Sequence, residues 1–127
     1  LIGSIVNMAL VVAGPQVIPP PLGVDLNDMD SIAKHIHLFE PQHFIFPFLA
    51  HAVGTLAGAF AAFLIGSRKN LLGYVIGGVF LVGGIAASYM IPAPSWFVAL
   101  DLLVAYLPMA WIATRLGRRS PKRTSRK

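Results

Sequence analysis

Two long uncharged runs constrain this chain more than any other feature. Residues 44–66, FIFPFLAHAVGTLAGAFAAFLIG, hold no charged side chain over 23 positions, and residues 71–91, LLGYVIGGVFLVGGIAASYMI, do the same over 21. A helix rises about 1.5 Å per residue and a hydrocarbon core is about 30 Å thick, so each run predicts a helix that crosses a membrane. Pro92, Pro94 and the PAPSW segment stop the second run. A third segment, 97–114, is interrupted only by Asp101 and Pro108. At the start, residues 1–18 are uncharged as well, ending in Gly14, Pro15 and the Pro19–Pro21 run.

These four segments predict an all-α, polytopic integral membrane fold. Four transmembrane helices form a single domain over 1–116, with an outer loop over 19–43 and a basic cytoplasmic tail over 117–127. The first segment opens on Leu1 without a Met or a flanking charge, and it is expected to lack its extreme N-terminus. It shows neither the basic region nor the small-residue cleavage site of a signal peptide. Composition agrees: 56% of residues are hydrophobic, 12 more are Gly and only 12% are charged, which excludes a disordered chain and most soluble enzymes. The absence of Cys excludes disulfides, thiolate catalysis and Cys-based metal sites.

Charge sets the expected orientation. Arg68 and Lys69 lie between the second and third helices, and Arg115, Arg118, Arg119, Lys122, Arg123, Arg126 and Lys127 follow the fourth. The opposite side has Lys34 alone, with Asp25, Asp28, Asp30 and Glu40. Both termini are therefore expected in the cytoplasm. The basic tail, through Arg115, Arg118, Arg119, Lys122 and Arg123, is expected to contact anionic lipids at the cytoplasmic face, each charge contributing about 1 kcal/mol near the surface. No nucleic-acid partner is expected.

Small residues predict the packing. Ala50, Gly54, Gly58, Ala62 and Gly66 recur every four residues, and Gly73, Gly77, Gly84 and Ser88 form a similar face on the next helix. Such faces let backbones approach closely in lipid, so the two helices are expected to pair as an antiparallel hairpin, or to face another copy of the chain. Three polar residues stand within the apolar segments: Asn7, His51 and Asp101. Asn7 is expected to hold helices together by bonding Ser88, Tyr106 or a backbone carbonyl. His51 shares a face with Gly54, Thr55 and Gly58 and points inward. It is seven residues past Phe44, and Asp101 is five past Trp96, so both sit roughly 7–11 Å below the outer boundary and are expected to pair. The pair reads either as an interhelical clamp or as a proton- or ion-handling site. Pro47 and Pro108 are both expected to kink their helices.

In the outer loop, Asp28 or Asp30 is expected to cap a short amphipathic helix with Met29, Ile32, Ile36 and Phe39 on one face. His35, His37, Glu40 and His43 are candidate metal ligands by type. On a regular helix His35 and His37 point about 160° apart, so only an unwound segment would gather them. No cofactor is expected otherwise, although a haem held by His51 and a loop histidine stays open.

The blocks PQHFIFPFLAHAVGTLAGA, GGIAASYMIPAPSWF and DLLVAYLPMA resemble those of a family of small uncharacterised bacterial inner-membrane proteins. That resemblance covers most of the chain and implies a four-helix membrane fold with no activity attached. No HExxH, GxSxG, Walker loop or repeated half is present. The expected function is a non-catalytic integral membrane protein that packs through small-residue faces, as a homo-oligomer or an accessory subunit of a membrane complex. The alternatives are a small transporter or channel that handles protons or cations through His51 and Asp101, and a metalloenzyme or metal carrier built on the loop histidines.

Overall fold

The computed structural model describes residues 1–119, and its regular structure is entirely helical. Six α-helices follow one another: α1 (Ile2–Val17), α2 (Met29–His35), α3 (Ile45–Ile65), α4 (Asn70–Met90), α5 (Ser95–Val104) and α6 (Leu107–Arg119). Two short 3₁₀ turns, Ile36–Leu38 and Pro41–Phe44, lead into α3. Lys122 and Arg123 of the basic tail lie outside the described residues.

Three helical stretches are long and apolar enough to cross a membrane: Pro41–Ile65, Asn70–Met90 and Ser95–Arg119. The last comprises α5 and α6, separated by a turn at Ala105–Tyr106. Pro108 accounts for that break, because it cannot donate to the carbonyl four residues back and its ring crowds the preceding turn. Pro47 behaves otherwise than expected. It lies in the first turn of α3, where a backbone N–H has no partner within the helix, so no intrahelical bond is lost there. The segment from 97 onward is also longer than expected, since α6 runs five residues past Thr114, to Arg119.

With 16 residues, α1 is about 24 Å long, shorter than the three spans. It runs antiparallel to α3, with Gly3 against Gly54 and Gly58 at one end and Gly14 against Phe46 at the other. The small-residue ladder of α3 thus meets α1 through Gly54 and Gly58, while Gly58 also lies against Ile76 and Gly66 against Leu72 of α4, so α3 and α4 pack as a hairpin with α1 seated beside it. A side chain at Gly3 would place its Cβ 2.5 Å from the Gly54 carbonyl oxygen, so the backbones touch directly. Ala50 is fully buried within the same helix, and Ala62 is half-buried.

The small residues of α4 serve α6 instead. Gly73 packs on Thr114, Gly77 on Ala110 at 2.6 Å from a would-be Cβ, and Gly84 on the Tyr106 ring. Between α3, α4 and α6 lies a core of Ala59, Ala110 and Ala113, none of which is exposed. Their small side chains explain why three helices converge so closely. Dispersion between close backbones holds them, since lipid tails compete equally for apolar side chains.

The ends of the bundle are closed by different means. At one end Phe44 packs on Phe97 (4.8 Å between centroids) and edge-on to Trp96 (5.5 Å). At the other, Ser67 and Arg68 adopt left-handed φ values of 57° and 60°, which costs about 1–2 kcal/mol per non-glycine residue. The turn is held by the Arg68 N–H on the Phe63 carbonyl (2.9 Å) and by the Arg68 guanidinium on the Gly117 carbonyl of α6 (3.3 Å). Arg118 reaches Asn70 at 3.1 Å, and Arg115 lies over the Trp111 ring at 4.1 Å. These cations are engaged with the protein as well as facing outward.

The packing yields a direct test. Gly3→Leu and Gly77→Leu should each destabilise the bundle by about 1–3 kcal/mol through overpacking, read as a lower melting midpoint in detergent. Gly83→Leu, whose Cβ meets nothing within 4 Å, should leave the midpoint unchanged or raise it.

Candidate functional site

The polar residues of the bundle gather at one place. His51 projects from α3 and Asp101 from α5, 50 positions apart in the chain, and His51 Nδ1 lies 2.9 Å from Asp101 Oδ1 and 2.8 Å from Oδ2. The Tyr106 hydroxyl donates to Asp101 Oδ2 at 3.0 Å, and the Tyr106 ring stacks on His51 at 5.8 Å between centroids. Asp101 is 5% exposed and Tyr106 1%, whereas the His51 side chain keeps 27%. The carboxylate is therefore sealed and satisfied, and the imidazole is its only link with the exterior.

Tyr106 was not foreseen as a member of this site, for a geometric reason. Five residues apart on a regular helix, Asp101 and Tyr106 would point about 140° from each other. The turn before Pro108 brings the phenol back toward the carboxylate, so the proline was the available signal. Asp101 consequently ties three elements together: α5, which carries it, α3 through His51, and the start of α6 through Tyr106.

One turn beyond His51, Thr55 is fully buried and its hydroxyl has no hydrogen-bond partner among the described residues. Asn7 rests its Cβ close against Gly54, at 3.0 Å from the position a Cβ would take there. Ser88 is not its partner, because that hydroxyl bonds the Ile85 carbonyl of its own helix at 2.7 Å.

The candidate metal ligands do not converge, and the metal reading is corrected. Among the described residues no group of three His, Cys, Asp or Glu side chains is placed to hold an ion. His35 Nδ1 bonds the Ser31 carbonyl at 2.8 Å, His37 is exposed, and His43 Nδ1 accepts the Glu40 N–H at 2.9 Å in a reciprocal cap of the Pro41–Phe44 turn. Local backbone contacts hold Nδ1 of His35 and of His43, and the four side chains stay apart. The Met29–His35 helix is capped by Asp28, whose carboxylate accepts the Asp30 N–H at 3.0 Å, and it buries Ile32.

Comparison with protein-family profiles, curated proteins and solved structures finds no match for this chain. The chemistry must therefore be read from the residues. A carboxylate on His Nδ1 orients the ring and sets which nitrogen carries the proton, leaving Nε2 to act on whatever approaches. Between this triad and Arg68, the described spans contain no other Asp, Glu, His, Lys or Arg on α3 or α4. The site is local, with no relay of ionisable groups leading from it along those helices.

Two substitutions probe its energetics. His51→Leu leaves Asp101 buried with Tyr106 as its remaining donor and should destabilise by about 3–5 kcal/mol; the His51→Leu/Asp101→Leu double variant should be more stable than His51→Leu alone, measured by denaturation in detergent. Thr55→Val removes an orphaned hydroxyl at nearly constant shape and should stabilise by about 1 kcal/mol. A loss of stability there would mean that the hydroxyl has a bound partner.

Proposed function

We propose that this chain is a non-catalytic integral membrane protein whose role is assembly, as a homo-oligomer or as an accessory subunit of a membrane complex. The observation that carries this reading is a stripe on α4. Leu71, Val75, Val82, Ile85 and Tyr89 are all exposed, and with half-buried Gly78 they are spaced four, three, four, three and four residues apart. That heptad spacing keeps one seam facing a partner helix along its length, and Gly78, with nothing within 4 Å of a would-be Cβ, leaves room for a close approach. The small faces of α3 and of the buried side of α4 are filled from within the chain, and this seam joins an open glycine to a heptad row of exposed apolar side chains, which suits it to a neighbouring helix.

In the same proposal α1 completes a four-helix membrane topology in a bacterial inner membrane, as the family resemblance implies. The basic residues lie at the cytoplasmic face against anionic lipids, and the Met29–His35 helix rests at the opposite surface. The chain lacks native Cys, which makes the test clean. Val75→Cys and Val82→Cys should give oxidative cross-links in native membranes, to a second copy or to another subunit. Val53→Cys and Leu103→Cys, exposed on other helices, should not. A monomer that travels alone and shows no cross-link along α4 would overturn the reading.

A second reading, proton or cation handling through His51 and Asp101, is supported by the partial exposure of His51 beside a sealed carboxylate. Ion flux into liposomes that is abolished by His51→Ala with the fold retained is the result it requires.

A further inference from the structure

The triad commits only one nitrogen of His51. Nδ1 faces Asp101, and Nε2 has no hydrogen-bond partner among the described residues. The ring borders a groove of about 350 Å³ between α1 and α4, walled by Asn7, Met8, Val79, Gly83 and Gly84. That volume lies near the lower end of the roughly 300–1,000 Å³ typical of small-molecule sites, and such sites pair apolar walls with a few placed polar groups. Here the walls are mostly apolar side chains and bare glycine backbone, with Ser4 and Asn7 of α1 as uncharged polar groups, and the remaining polar group is an imidazole oriented by a buried carboxylate.

The occupant follows from what the groove offers. No Lys or Arg lines it, so a phosphate or carboxylate headgroup, including haem propionates, would be buried without a counter-charge. An acyl chain would leave Nε2 unmatched. When the ring holds a single proton, on Nδ1, it donates to Asp101 and Nε2 accepts; when both nitrogens are protonated, Nε2 donates. A neutral ring whose oxygen is a carbonyl in one form and a hydroxyl in the other matches both states. We propose that this groove binds a neutral, lipid-soluble quinone-type ring, with one ring oxygen on His51 Nε2 and the ring body lying along Val79, Gly83 and Met8.

Glycine placement makes the proposal testable without disturbing the triad. Gly83 lines the groove and a Cβ there meets nothing within 4 Å, whereas Val53 is exposed but is not among the groove-lining residues. The full chain in lipid nanodiscs is photolabelled with an arylazido naphthoquinone, adducts are mapped by mass spectrometry, and 2,3-dimethyl-1,4-naphthoquinone is the competitor. Saturable labelling is expected at Met8, Val79 and Gly83. It should fall at least about fivefold in Gly83→Leu and stay unchanged in Val53→Leu, and 2,3-dimethylnaphthalene, which lacks the oxygens, should compete at least about fivefold more weakly, the size of one hydrogen bond. Labelling spread evenly over lipid-facing residues, or equal competition by the hydrocarbon, would overturn the proposal. Should Gly83→Leu fail to fold, the ratio between the two competitors decides alone.

Discussion

Asp101 sits at 5% exposure among apolar helices, and a carboxylate there is tolerated only where donors reach its oxygens. His51 Nδ1 spans both oxygens and Tyr106 adds a hydroxyl, so three elements must be in register before the group is satisfied. This requirement positions α5 against α3 and fixes the turn into α6. It also accounts for Gly84: a side chain there would strike the Tyr106 ring and push its hydroxyl away from the carboxylate. The bundle thus concentrates its buried charge at one point, and the other buried polar side chains among the described residues are the hydroxyls of Thr55 and Thr114.

Elsewhere, contact is made by smallness. Apolar side chains gain little by leaving lipid for protein, so helices associate where backbones come close enough for dispersion to exceed what lipid offers. Gly3 against Gly54, and Gly77 against Ala110, are such points. They divide the labour among glycines that look equivalent in the chain. Gly54 seats α1, Gly58 lies between α1 and Ile76 of α4, those at 73, 77 and 84 seat α6 and the turn before it, and those at 78 and 83 seat nothing within 4 Å.

That division marks the limit of what could be read from the residues alone. The uncharged runs 44–66 and 71–91 lie within one residue of α3 and α4, because hydropathy over 20 residues is a strong signal and Pro and Gly punctuate its ends. That His51 and Asp101 meet was equally legible, since counting from Phe44 and Trp96 needs only the helical rise. Which neighbour each small face meets was not legible, because Gly carries no side chain to identify a partner. Nor was Tyr106, whose position depends on a turn that no periodicity encodes. The loop histidines misled for the opposite reason: their types suit a metal, but α2 and the Pro41–Phe44 turn tie one nitrogen each of His35 and His43 to backbone groups and keep the side chains apart.

The asymmetry within the triad carries the remaining argument. A purely structural clamp gains most when both partners are buried and every donor is used, yet here the carboxylate is sealed while the imidazole retains 27% exposure and an uncommitted nitrogen. Burial of Asp101 strengthens its hold on Nδ1, and that hold defines the state of Nε2 at the groove. The wall over this edge is α1, whose close backbone contacts are with α3, through Gly3 and Asn7 on the residues just past His51. Access to the imidazole is therefore governed by the same glycine contacts that seat α1. Helix packing and exposure of the imidazole share one set of residues, and a change at Gly3 or Gly54 acts on both.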